Sequence, residues 1–205
     1  MLDSLFIEQC KNPVVPTQIV KMIVQEESSK NPYSINVNKD GKSFVSFTPK
    51  TKDEAIKIAQ TYINAGFSVD VGYMQLNSDN FELFNTTLEK AIEPCQNLFF
   101  ASTVYYNFFK NTSKESPKIQ RVKQSLSAYN TGSYELGFKN GYVAKYDKYF
   151  EEKYGKLFYE YIHLDSNCSW NGMSRGFFDD LFKSTLKIKN IKTIERIEYK
   201  NYEFS

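Results

Sequence analysis

Histidine is almost missing from this chain: His163 is the only one among 205 residues. It follows the last long aromatic stretch and is remote from any Ser or Cys in an elbow-like turn. A serine or cysteine hydrolase, which needs an imidazole beside its nucleophile, is therefore excluded, and His163 reads as a surface or packing residue. Cysteine is scarce too. Cys10, Cys95 and Cys168 have neither CxxC nor zinc spacing, so no metal site and no cofactor are expected. Counting alone allows one disulfide with a spare thiol, or three reduced cysteines. The nine glycines contain no Walker or dinucleotide spacing, which removes phosphate-loop chemistry. No run approaches the roughly 20 apolar residues of a membrane span, and the Met1-Leu2-Asp3-Ser4 start lacks a basic and then apolar leader. Neither sign of charge is in excess: 26 basic against 24 acidic residues, net +2, gives no case for nucleic acid as a partner.

What the chain does have is apolar and aromatic mass. It is 41% hydrophobic, enough for one good core and a smaller appendage, and its 15 Tyr and 17 Phe suit carbohydrate stacking or a protein interface equally.

The stretch from Pro16 to Tyr33 organises the reading. Pro16 suits a first helical turn, and Ile19, Val20, Ile23 and Val24 recur at helical spacing. Glu27 follows Ile23 by four residues and extends the buried stripe, whereas Glu26 lies about 100° round the helix. A carboxyl at the end of an apolar stripe is desolvated, which raises its pKa and lets it hold a proton near neutrality, as a general acid must.

Around this helix the other elements fall into order. A short lead-in helix spans residues 3 to 12 and carries Cys10, and the Glu27 helix ends by Asn31-Pro32. Tyr33 to Val37 and Ser43 to Thr48 read as a hairpin turning near Asp40-Gly41. Thr51 and Glu54 form a capping box for a helix that Gly66 ends, and Ser68 to Val71 alternates as a third strand running out at Gly72. Glu93 to Lys110 is a long buried helix, a further one from Ser116-Pro117 breaks at Tyr129 to Gly132, Gly137 to Gly141 is a loop, and 142 to 163 is helical. The domain expected is residues 1 to 164. Residues 165 to 205, holding Cys168, change character and read as an appendage.

Carboxylate chemistry on a sugar is what remains. Three segments carry it: Glu27-Ser28, Gly72-Tyr73-Met74-Gln75 and Ala128-Tyr129-Asn130. In this order and spacing they closely resemble the Glu-Ser, Gly-x-Met-Gln and Ala-Tyr-Asn motifs of the specialised lytic transglycosylases with the goose-type lysozyme fold, in the branch attached to type IV secretion systems. The resemblance covers about residues 5 to 150, and includes Asp70-Val71 before the second motif, Glu93 to Leu98, and Gly137 to Val143.

The resemblance implies an α+β, predominantly helical domain with a small three-stranded antiparallel sheet lining the cleft. It implies that Glu27 protonates the glycosidic oxygen between N-acetylmuramic acid and N-acetylglucosamine, then acts as base on the muramyl hydroxyl. The product is a 1,6-anhydro sugar, and no second carboxylate is needed. By the same match, Ser28 would bond to substrate or orient Glu27, Gln75 and Asn130 would bind sugar groups, and Tyr129 would hold the catalytic carboxyl through its hydroxyl. Gly72 would let backbone approach the glycan, with Tyr73 and Met74 lining the cleft or packing beneath it. Asp70 is either a solvated strand-edge carboxylate or one that orients a water. The branch also implies a Cys10 to Cys95 disulfide, a periplasmic location and peptidoglycan strands as the partner; the role of 165 to 205 is open, docking onto secretion components being one reading of it. The competing readings are a hydrolysing muramidase and a non-catalytic peptidoglycan-binding assembly factor.

Overall fold

The computed structural model describes residues 2–150; His163, Cys168 and the 165 to 205 appendage lie outside them. Helix α1 (Ser4–Cys10) starts where the Asp3 side chain accepts from the Phe6 amide at 2.8 Å. Helix α2 (Thr17–Ser28) buries Ile19, Val20, Met22, Ile23 and Val24. It stops two residues earlier than Pro32 requires, because Ser29 and Lys30 both take left-handed backbone, at φ of 50° and 67°.

Strands β1 (Ile35–Lys39) and β2 (Lys42–Phe47) form the expected hairpin, with Asp40 and Gly41 both at positive φ, as a two-residue turn between twisted strands requires. Helix α3 (Lys52–Asn64) is capped by Thr51, whose side chain accepts from the Glu54 amide, and leads to β3 (Ser68–Val71). The sheet has four strands, not three. Gly72 and Gln75 both sit at positive φ and the Gln75 amide bonds back to the Gly72 carbonyl. The chain therefore reverses, and β4 (Leu76–Asn77) returns antiparallel to β3, giving the order β2-β1-β3-β4.

Alternation along these strands divides the sheet into two faces. Ile35, Val37, Val69, Val71 and Leu76 enter the core. Asn36, Asp70 and Asn77 lie side by side on the other face, since Asn36 pairs with Asp70 and Asp70 with Asn77.

After the short α4 (Leu88–Ala91), helix α5 (Pro94–Lys110) runs through the centre, burying Leu98, Phe100, Ala101 and Tyr105, and packs against α6 (Lys118–Thr131). The glycine-marked stretch expected as a loop contains one helical turn, α7 (Leu136–Lys139), because Gly137 lets it sit on α6: a Cβ there would come within 2.6 Å of the Ser127 Cα. A 3-10 turn at Val143–Tyr146 and the turn α8 (Asp147–Phe150) follow.

Two kinds of bond fix the start of the chain to the central helix. The Asn12 amide and side chain donate to Ser102 and Thr103 at 2.8 and 3.0 Å, and Cys10 is disulfide-bonded to Cys95. The disulfide links residues 85 apart, so it removes much of the unfolded chain's freedom. Replacing both cysteines by serine is expected to lower stability by up to about 4 kcal/mol, read as a drop in the urea midpoint that dithiothreitol reproduces in the wild type and not in the variant.

Candidate active site

Glu27 lies in the last turn of α2, one turn beyond the fully buried Ile23, so the helix carries its carboxyl into apolar surroundings. Burial is the main influence on it and pushes its pKa up to about 7. The charges of Asp70 and Glu26 add to the rise, while a hydrogen bond from Tyr142 and the Lys145 cation oppose it. Its neighbour Glu26 moves the other way. Burial would raise it, but Lys148 at 2.6 Å, the Tyr149 hydroxyl at 2.7 Å and Lys145 together hold it below the ordinary carboxylate value. Adjacent glutamates on one helix thus have opposite tendencies, one to keep a proton and one to stay ionised.

The hydroxyl that donates to Glu27 Oε1 belongs to Tyr142, not to Tyr129. Tyr142 is 5% exposed and follows Gly141, whose φ of +81° turns the chain after α7. Tyr129 instead donates to the Met74 carbonyl at 2.7 Å. Its position on α6 directs the hydroxyl onto the reversal that follows β3, and so it supports the second motif rather than the carboxyl.

That reversal is held from three sides. Asn97, completely buried on α5, donates to the Val71 and Ala91 carbonyls at 2.8 and 3.0 Å and accepts from the Met74 amide at 3.0 Å. The Gly72 amide donates to the Ser34 carbonyl at 2.9 Å. The Gln75 amide nitrogen donates to the carbonyls of Ser34 and Gly72, both at 2.9 Å, so what Gln75 offers a ligand is its side-chain oxygen. The close approach that Gly72 permits is to Asn97, for a Cβ would lie 2.5 Å from its Nδ2.

The other residues of the motifs differ in exposure. Met74 is fully buried and packs in the core, so its side chain does not line a cleft. Tyr73 keeps 8% exposure. Ser28 is buried and its hydroxyl donates back to the Val24 carbonyl at 3.1 Å, a bond within its own helix. Asn130 is exposed near the end of α6, where its oxygen accepts from Asn140 at 3.4 Å.

Asp70 is not a solvated edge carboxylate. Three asparagine amides converge on it: Asn36 at 3.0 Å and Asn38 at 2.8 Å on Oδ2, and Asn77 at 2.7 Å on Oδ1. Burial raises its pKa against these bonds. The clamp extends to the edge strand, since the Ser43 and Ser46 hydroxyls donate to Asn36 Oδ1 at 2.6 and 2.8 Å. Among the described residues no group of three or more His, Cys, Asp or Glu gathers as a metal site.

Sequence reasoning missed Asn97, Tyr142 and the asparagine clamp. Asn97 carried a signal, being a polar residue amid apolar ones on a buried helix, and Tyr142 carried one in its place just after Asn140-Gly141. Nothing local connects either with Glu27, because their partners are set by packing across the whole domain.

The Transglycosylase SLT domain family matches residues 4–151. Among relatives, protein virB1 of Agrobacterium fabrum is 30% identical over 140 residues, which cover 68% of this chain and 56% of that protein. The type IV secretion system protein virB1 of Brucella abortus biovar 1 is 31% identical over 141 residues, covering 68% of this chain and 58% of that protein. The chain thus spans just over half the length of these relatives. No solved structure matches it.

The raised Glu27 value has a consequence for stability. Because the folded value lies above the ordinary 4.5, ionising the carboxyl opposes folding: its contribution is intact below about pH 4.5 and is lost as the pH rises through 7. Glu27→Gln never ionises. It is expected to match the wild type near pH 4 and to exceed it by about 3 kcal/mol at pH 8.5, compared through urea midpoints. Equal midpoints at both pH values would mean that the carboxyl is hydrated.

Proposed function

Because this chain belongs to the transglycosylase SLT family, we propose that it is a peptidoglycan lytic transglycosylase in which Glu27 serves as both acid and base. The observation that carries the proposal is the Glu27 carboxyl itself, desolvated, held by one hydroxyl and raised to about 7. At neutral pH a large share of it keeps the proton that a leaving oxygen needs.

In the first half of the reaction, the Glu27 proton passes to O4 of the N-acetylglucosamine residue as the bond from C1 of N-acetylmuramic acid to that oxygen breaks. Glu27 is left ionised, and Tyr142 stabilises the charge through its hydroxyl. In the second half, the muramyl C6 hydroxyl attacks C1, the C1–O6 bond forms, and the hydroxyl proton returns to Glu27. No water is consumed and the enzyme regains its starting state. Gln75 would accept from a sugar hydroxyl or amide through its free oxygen, and exposed Asn130 would contact the glycan further along. Gly72, Tyr73, Met74 and Tyr129 serve binding indirectly by shaping the reversal that presents Gln75.

The clamp on Asp70 supports this reading over a muramidase. Both oxygens of Asp70 already accept amide hydrogens, which ties the carboxylate to the asparagines of the sheet face instead of to a nucleophilic water.

The likeness to virB1 proteins supports a place beside a type IV secretion system, where the enzyme would open the wall locally from the periplasm. Residues 1 to 164 would then be the catalytic domain and 165 to 205 the element that meets secretion components. Among the described residues no helix is long and apolar enough to cross a membrane.

Mass spectrometry of the products from purified peptidoglycan tests the proposal. Muropeptides ending in 1,6-anhydromuramic acid are expected from the full chain and from a chain lacking 165 to 205, with none from Glu27→Gln. Reducing ends would instead identify a muramidase, and no products from the full chain would favour a binding factor.

A further inference from the structure

Behind Tyr142 stands a second tyrosine that the proposed reaction does not use. Tyr146 is fully buried, its ring lies 5.4 Å from that of Tyr142, and its hydroxyl lies 2.8 Å from the Tyr142 hydroxyl. Among the described residues Tyr142 is the only hydrogen-bond partner of that hydroxyl.

Counting hydrogens gives this chain of hydroxyls a direction. Tyr146 has one hydroxyl hydrogen and the Tyr142 oxygen to receive it, and Tyr142 has one hydrogen and Glu27 Oε1 to receive that. The order Tyr146 to Tyr142 to Glu27 uses both buried hydrogens. The reverse order leaves the Tyr146 hydrogen buried with no acceptor among the described residues, which is costly. With Tyr142 always donating to Oε1, the proton of the acidic Glu27 is confined to Oε2, the oxygen left for substrate.

We propose that Tyr146 is a positioning residue for the transglycosylase reaction: by donating to Tyr142 it fixes which Glu27 oxygen carries the proton and strengthens the bond that steadies Glu27 once ionised. The inference rests on the acid–base role given to Glu27 above. Hydrogen bonds in series polarise one another, so the second donor also makes Tyr142 a better donor. The other groups around Glu27 are Glu26 on its own helix, Asp70 on β3, Lys145 in the 3-10 turn and the Tyr129 phenol on α6. Glu26 is already paired with Lys148, and Asp70 is held by its three amides. None of these donates to the Tyr142 oxygen.

Tyr146→Phe removes only the hydroxyl. On soluble glycan strands it is expected to lower kcat about fivefold with KM unchanged, and to move the alkaline limb of the kcat–pH profile up by about half a unit, because the carboxylate loses support. Tyr142→Phe should cost more. The double variant Tyr142→Phe/Tyr146→Phe should be no worse than Tyr142→Phe alone, since Tyr146 acts through Tyr142. Losses that multiply in the double variant, or a Tyr146→Phe enzyme with unchanged kcat and pH limb, would overturn the proposal. If the wild type releases no fragments, the function reading fails on its own. The hydroxyl chain is then judged by the Glu27 carboxyl carbon resonance, which should titrate about half a unit higher in Tyr146→Phe and whose coincidence in the two proteins would overturn it.

Discussion

The structure depends on a balance at one carboxyl, the desolvation of Glu27 against a single hydrogen bond from Tyr142. Burial alone would leave a carboxyl too reluctant to ionise to act later as a base. A fully hydrogen-bonded or hydrated one would lose its proton well below neutrality, as Glu26 does beside Lys148 and Tyr149. Helical geometry separates the two: Glu27 continues the stripe of Ile19, Ile23 and Val24, and Glu26 faces the charged end of the domain. The raised Glu27 carboxyl is therefore a product of the core that α2 packs into, and the disulfide and Asn12 bonds that fix the neighbouring chain to α5 hold that core in place.

A second constraint shapes the reversal after β3. The reversal from Gly72 to Gln75 has too few residues to hold its own shape, and Asn97 supplies what it lacks from inside α5 by accepting from the Met74 amide and donating to the carbonyl of Val71, just before the segment. Gly72 follows from Asn97, since any side chain there would occupy the same space. Tyr129 meets the Met74 carbonyl from α6, and Gln75 is tied to Ser34, so the two halves of the domain share one rigid loop. On the polar face of the sheet, Asp70 plays a comparable part: its charge gathers Asn36 and Asn38 from β1 and Asn77 from β4, and adds to the rise at Glu27.

Much of this was legible in the sequence, for physical reasons. The cap at Thr51, the Asp40-Gly41 turn and the stripe ending in Glu27 are local patterns that the fold keeps, and the break read over Tyr129 to Gly132 falls at its far end, at Gly132. The order of the motifs carried the family resemblance, and that resemblance implied the Cys10–Cys95 bond. What failed were partnerships across the fold. Tyr129 and Tyr142 are both tyrosines near helix ends late in the domain, and only tertiary packing decides which hydroxyl reaches a residue 115 positions away. The two-residue β4 has no alternation to read, and its pairing arises from positive φ at Gln75, a non-glycine residue. Met74 and Ser28 look like site residues because they lie within motifs, yet both are buried: one fills the core and the other bonds its own helix.

Burial holds the Glu27 carboxyl protonated up to near neutral pH. Infrared difference spectra of wild type against Glu27→Gln, recorded from pH 5 to 9, test it most directly. A protonated carboxyl band is expected to disappear with a midpoint near 7, where the carboxylate bands replace it. Carboxylate bands already complete at pH 5.5 would contradict it, and would mean that the apolar stripe of α2 does not govern the charge of the residue at its end.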